Sequence, residues 1–311
     1  MKVALCFIIS YKHILNKEEL WKEWIKENQD IINVYFHYKD IQEIKSPWIL
    51  RHCLPSEYIY QTSYMHVIPA YLSLMKYASQ HDKSNQWFCF LTDSCCPIIS
   101  PHRFRYLFFE NYCKSILSWK KAWWNPSFHK RANLALLPEE FHLANDPWFV
   151  LNREHIKACL QYADKKQPAV KTICNGGLAN ESLFAIMLYG SKKMDQVISH
   201  ASHAADWSRM ASTTSPHLFQ NANTQDIQFI EKTLNTTKYT MFIRKIAPEF
   251  PDDVLRHYIY SYLKDKDDLL VIRRPFLLLL KILFTRMTVA VFFVYFCSLL
   301  YSIYDELVYA F

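Results

Sequence analysis

The sequence predicts an α/β fold, and three stretches carry that reading. The chain opens on an apolar, β-rich run, VALCFII at 3–9. A second such run, IINVYFH at 31–37, follows after a helical pattern, and a third, WFCFL at 87–91, follows a longer helical pattern. Strand, helix, strand in this order implies a right-handed crossover and parallel pairing. In sheets of that kind ligands collect beyond the carboxyl ends of the strands. The loops after Ile9, His37, Leu91 and Leu151 are therefore expected to gather on one edge.

The elements follow in order. Asn16-Lys-Glu-Glu19 reads as a capping box that opens a helix through about Glu27. The pattern from Ser63 to Gln80 predicts a long helix despite Pro69, and the third strand runs out into Thr92-Asp93-Ser94-Cys95-Cys96-Pro97. Residues 118–147 read as irregular and are rich in Trp, Pro, His and basic groups. A loop of that length inside a compact domain is usually functional. Trp148 to Leu151 predicts another strand and Asn152 to Ala163 a helix. Then CNGGLANESLFAIMLYG, 174–190, passes from a Gly-rich turn into an apolar helix with Glu181 in its first turn. A polar stretch, 200–224, carries Trp207 and Arg209. Met241–Lys245 and Asp252–Leu263 close the globular part, which is placed at 1–268. A basic linker and a hydrophobic helix occupy 269–311.

Composition removes several classes. Hydrophobic residues make up 51% of the 311, enough for a sizeable core and against disorder. Only three glycines are present, so neither a Walker loop nor a Rossmann fingerprint can be built. The net charge of +7 suits an anionic substrate or an acidic membrane face. Nucleic acid is set aside because no RNP, zinc-finger or basic-zipper signature occurs. Nine cysteines without a CxxC pair signal neither a zinc site nor a disulfide framework, and Cys95-Cys96 read as buried small hydrophobes. Met287 to Tyr304 is an uncharged run of 18 residues, long enough to span a bilayer at about 1.5 Å per residue. Arg273, Arg274, Lys281 and Arg286 precede it, which places residues 1–286 on the cytosolic side by the positive-inside rule.

The order of motifs resembles the core-2/I-branching β-1,6-N-acetylglucosaminyltransferase family, glycosyltransferase family 14. VYFHYKD at 34–40 is similar to the family's YxxHxD segment, with Asp40 as the acid. TSYMHVIPAYLSLMKYA at 62–78 is similar to its helix before the central strand, and FLTDSCCPI at 90–98 to its LSxSCxPL form. NDPWFVLNREHIKAC, ANESLFAIM, DWSRMASTTSPHLF and FIRKIAPEF resemble four further family segments in the same order. The resemblance implies a GT-A-like fold with a mostly parallel sheet. It also implies an inverting glycosyltransferase that works without a divalent metal or other cofactor. UDP-N-acetylglucosamine is the first donor it suggests, with UDP-xylose used by a related branch. The acceptor would be a glycan or glycoprotein.

Transfer of a sugar needs a base, positive charge for the leaving diphosphate and a site that excludes water. By resemblance Glu181 is the base, although residue chemistry alone would read it as a helix-stabilising acid. Arg209 and Lys245 match the basic positions that replace a metal, with Arg244 as a substitute, and His37 and Asp40 border the nucleotide. Trp207 would stack on the acceptor, with Trp124, Lys130 and Arg131 of the loop WWNPSFHKR as further contacts. Asp265-Lys-Asp267 has the letters of a metal-binding motif but sits in the terminal linker and reads as a solvated charge run. The opposing reading is a non-catalytic, membrane-attached carbohydrate-binding protein. It draws on Ser215-Pro216 where the family has His-Pro, and on Asp146-Pro147 where it has Gly-Ser. The expected location is a membrane, held by the C-terminal helix with the catalytic part in the cytosol; a Golgi or ER lumenal orientation is the alternative.

Overall fold

A computed structural model describes residues 1–9, 11–212 and 214–262, with the isolated positions 287, 288 and 298. The chain divides after Tyr262. The predicted linker and the hydrophobic helix over 287–304 therefore lie outside the described residues, apart from those positions. Among the described residues no helix is long and apolar enough to cross a membrane.

The chain enters through β1 (Lys2–Ile8), α1 (Glu18–Lys26), β2 (Ile32–His37), α2 (Pro47–Arg51), α3 (Ile68–His81) and β3 (Asn85–Thr92). Then come β4 (Cys96–Pro97), α4 (Pro101–Asn111), β5 (Ser115–Ile116), β6 (Trp119–Lys121), β7 (Leu143–Asn145) and β8 (Val150–Asn152). Three helices follow, α5 (Arg153–Lys165), α6 (Gln167–Asn175) and α7 (Leu183–Gly190). The unit closes with β9 (Val197–Ile198), β10 (His203–Ala205), α8 (Thr224–Thr236), β11 (Phe242–Arg244) and α9 (Asp252–Tyr260).

The main sheet has the order β2-β1-β3-β8-β5-β9. β2, β1 and β3 are parallel, as predicted. From Val3 to Ile8 β1 is apolar because both of its faces are covered. Ala4, Cys6 and Ile8 join the cluster formed with α3, α5 and α7. Phe7 faces the other way, edge-on to Trp21 of α1 at 5.0 Å and stacked on Phe36 at 4.9 Å. Trp21 and Trp24 bury their rings and still satisfy their indole N–H groups, which donate to the carbonyls of Cys95 and Ile99. A smaller sheet, β10-β11-β4, lies beyond the end of β3, and β6 pairs with β7 as a separate ribbon within the stretch that reads as irregular.

Three expectations change. β8 runs antiparallel to β3, so the loop that follows it leaves from the opposite edge of the sheet. There Arg153 donates to the carbonyls of Asn85, Ser79 and Asp82 and ties the bottom of β3 to α3. It is the segment before β8, Asp146–Trp148, that reaches the ligand edge. The helix expected from Ser63 begins at Ile68, with Pro69 in its first turn, where a missing N–H costs nothing. The capping box at Asn16 does not form. Lys17 takes the N-cap position, while the Asn16 amide donates to the Ile246 carbonyl at 2.7 Å. Lys17 is buried and its ammonium donates to the carbonyls of Pro248 and Phe250 and to Asp252, which fastens α1 to the start of α9.

Candidate active site

The strand order 2-1-3 puts a topological switch point between β1 and β3. The loops leaving the carboxyl ends of these strands meet there, at the position where sheets of this kind bind ligands. They are joined by the backbone amide of Asn16, which donates to the Asp93 carbonyl at 2.9 Å. Asp93 is half-buried, and burial raises its pKa even though Arg244 and Lys12 pull the other way. His13 is buried in the loop after β1. Its Nε2 accepts from the backbone amides of Lys39 and Asp40 at 3.3 and 3.0 Å, which couples the first loop to the second. Lys12 and His13 escaped the sequence reading; their position directly after the first strand was the available signal.

The basic residues expected to meet a diphosphate divide into two groups. Arg244 ends β11 and is buried, with its guanidinium 3.3 Å from the centre of the Trp148 ring. Burial lowers its pKa, and Cys95, Tyr71 and Asp93 offset that only in part. Lys245 follows and donates to Ser215 Oγ at 2.7 Å. Its pKa is lowered, first by burial and then by Arg244, with Asp93 opposing. Arg209 is engaged elsewhere. It pairs with Asp206 at 2.7 Å and with Asp226 at 2.8 Å, and the fully buried Asp226 also accepts from or pairs with His217 at 2.9 Å. Asp206 accepts from the amide and the hydroxyl of Ser208 as well, so this network shapes the loop and turns Trp207 outward, 47% exposed.

His37 ends β2 and is fully buried. Burial lowers its pKa to about 4, so it is neutral at physiological pH. Asp40 is exposed and caps the short turn Ile41–Glu43 by accepting from the Gln42 amide.

Glu181 stands at the end of a 3-10 turn, Ala179–Glu181, two residues ahead of α7. It is therefore not in the first turn of a long helix. The cap that α7 lacks from Ser182 comes from Asn145, whose Oδ1 accepts from the Ala185 amide at 3.1 Å. The Asn145 amide group donates to the Asn180 carbonyl at 2.8 Å, so one side chain fixes both the turn and the helix that follows. The Glu181 side chain is 21% exposed and pairs with Arg131 at 3.0 Å. Burial raises its pKa, Arg131 lowers it and Asp146 raises it again; the net direction is up. The Arg131 guanidinium lies 5.3 Å from the centre of the Trp124 ring, so three residues singled out from the sequence do converge. Trp124 itself is buried, while Trp123 and Lys130 are exposed beside it.

The glycines explain how this convergence is built. A Cβ on Gly176 would fall within the backbone of Ala132 and Asn133. Its absence lets the Lys130–Asn133 segment lie directly on the turn, where the Ala132 amide donates to the Gly177 carbonyl at 2.9 Å. Gly177 takes the left-handed conformation, φ 67°, that reverses the chain after α6.

The Arg244 and Glu181 surroundings are contiguous. Tyr71 of α3 is buried, donates to the Pro147 carbonyl at 2.6 Å and lies within electrostatic reach of both Arg244 and Glu181. Asp146 acts on Glu181 from one side of Pro147, and Trp148 carries Arg244 on the other. Two cavities, of about 310 and 560 Å³, have walls that include none of Glu181, Arg244 or Lys245. Among the described residues no group of three His, Cys, Asp or Glu side chains is placed to hold a metal ion, and Asp265-Lys-Asp267 lies outside them. The eight described cysteines are free, and Cys95 and Cys96 are buried as expected.

The sequence pattern described as Core-2/I-Branching enzyme matches residues 5–232. The chain belongs to that family. Core-2/I-branching enzymes are glycosyltransferases, and the α/β sheet with its parallel half fits their GT-A-like architecture. The match contains Glu181, Arg131 and Arg209 but ends before β11, so the placement of Arg244 and Lys245 comes from the structure alone. No curated protein matches the chain.

Proposed function

We propose that the protein transfers a sugar, N-acetylglucosamine in the first instance, from a UDP-sugar to a glycan hydroxyl, with inversion and without a divalent metal. The acceptor hydroxyl gives its proton to Glu181 and its oxygen attacks the anomeric carbon. The bond from that carbon to the diphosphate breaks, and UDP leaves with the electron pair. Lys245, with Arg244 behind it and Lys12 from the loop after β1, offsets the charge that develops on the diphosphate. The UDP-sugar lies at the switch point between the loops after β1 and β3, bordered by Asp40, with the buried His37 supporting that edge from beneath. Arg209 contributes by holding the loop that presents Trp207 to the acceptor.

The observation that carries this reading is the setting of Glu181. A half-buried carboxylate with a raised pKa, paired among the described residues with Arg131 alone, keeps the basicity that general-base work requires. The test is a panel of sugar nucleotides with UDP release as readout, run in EDTA with and without glycan acceptors. Acceptor-dependent release in EDTA, lost in Glu181→Gln, is the expected result. Release that collapses in EDTA, or that survives Glu181→Gln unchanged, would overturn it.

A further inference from the structure

A second cavity, of about 560 Å³, opens on the outer face of α3, where the ends of α5 and α6 meet it. That volume is within the usual range of small-ligand sites. Its walls are aliphatic, from Ile68, Pro69, Leu72 and Leu160, and Tyr58 and Tyr60 add two rings. Tyr60 is 55% exposed, so its ring is open to a ligand.

Ser73 lines the same cavity. It is 3% exposed, and its Oγ has no hydrogen-bond partner. A buried hydroxyl left unpaired is costly, and a ligand group that pairs with it recovers that cost. The rim carries one cation and one anion, Lys76 and Asp164, with the amide of Asn175 beside them. This charge-balanced rim suits a neutral ligand that both donates and accepts hydrogen bonds.

We infer that this cavity binds a saccharide ring, a residue of the acceptor glycan remote from the reacting hydroxyl. The aromatic rings and aliphatic wall take the C–H face of the sugar, and Ser73 and the rim take its hydroxyls. The link to the reacting centre is short: Ala179 lines the cavity and begins the turn that ends in Glu181. The strap over 58–68 is held to the start of that turn by the Leu178 amide, which donates to the Met65 carbonyl at 2.8 Å, and to the end of α6 by His66, which bonds the Cys174 carbonyl at 3.0 Å. A ligand here would therefore bear on the segment that positions the proposed base. The inference rests on the glycosyltransferase reading for the identity of its ligand, but its test is binding, which needs no turnover.

The probes are three neutral disaccharides, lactose, cellobiose and chitobiose, and one apolar control, octanoate, titrated calorimetrically into the whole protein. Wild type and Glu181→Gln should bind at least one disaccharide alike. Leu72→Trp, which fills the cavity, should weaken that binding tenfold or more, and Ser73→Ala several-fold. If Leu72→Trp does not fold, Ser73→Ala and Tyr60→Ala carry the test. No disaccharide binding to wild type, binding indifferent to all three cavity variants, or binding of octanoate alone would overturn the inference. Disaccharide binding without sugar transfer would instead count against the proposed reaction, and transfer without cavity binding against this site.

Discussion

Glu181 is held between opposed influences, and their balance is what a pH profile reads. Burial and Asp146 push its pKa up, and Arg131 restrains it. A base must be ionised, so activity should rise with pH through the raised pKa and fall on acidification through the same window. Replacing Arg131 with Met removes the only downward influence of the three. The acidic limb of kcat/KM should then move to higher pH, with the plateau reached later. An unchanged limb in a folded Arg131→Met variant would show that Glu181 is not the group titrating. Glu181→Gln should cost about 10²–10⁴-fold in kcat, the usual contribution of a positioned general base. The sequence could point at this residue but not at its environment. Asp146 lies 35 positions earlier and Arg131 fifty, and both arrive through packing that no local pattern encodes.

Among the elements, the turn at 174–182 concentrates the design. Its two glycines serve close approach and a left-handed reversal, not phosphate binding, which is why a chain this poor in glycine spends two of its three here. Gly176→Ala should force the Lys130–Asn133 backbone away, at a cost of about 1–3 kcal/mol from overpacking. It should also separate Arg131 from Glu181. Denaturant unfolding checks the first effect and the pH profile the second, where the acidic limb should shift as it does in Arg131→Met. A variant with native stability and a native profile would mean that the close contact at Gly176 is idle. The long apolar strands were legible from their composition, since β1 and β3 are buried on both faces. What escaped was decided by distant partners. The Asn16 side chain is held by its donation to the Ile246 carbonyl and does not accept from the amides of α1, and β8 enters the sheet antiparallel, although nothing in WFVLN distinguishes one direction from the other. Pro69 was misplaced for a local reason: it marks a helix start, and the apolar periodicity upstream of it extended the predicted helix backward by five residues.

At the scale of the whole molecule two sequons probe the membrane orientation that the sequence predicts. Asn180-Glu-Ser182 places its asparagine next to the proposed base, half-buried and with its carbonyl already taken by Asn145. A glycan there would crowd the acceptor site. Asn235-Thr-Thr237 is different: Asn235 is exposed in the last turn of α8, and its side chain only meets the Tyr262 hydroxyl. In a lumenal protein that site would be open to glycosylation. We propose the cytosolic orientation, on the strength of Arg273, Arg274, Lys281 and Arg286 ahead of the uncharged run that begins at Met287. Expressed in a eukaryotic cell, the protein should then carry no glycan at Asn235 by mass spectrometry, and protease added to sealed vesicles should digest residues 1–262. An occupied Asn235 together with a protected catalytic unit would place the enzyme in the lumen. The positive residues would then have to serve something other than orientation, such as contact with anionic lipid at the membrane surface.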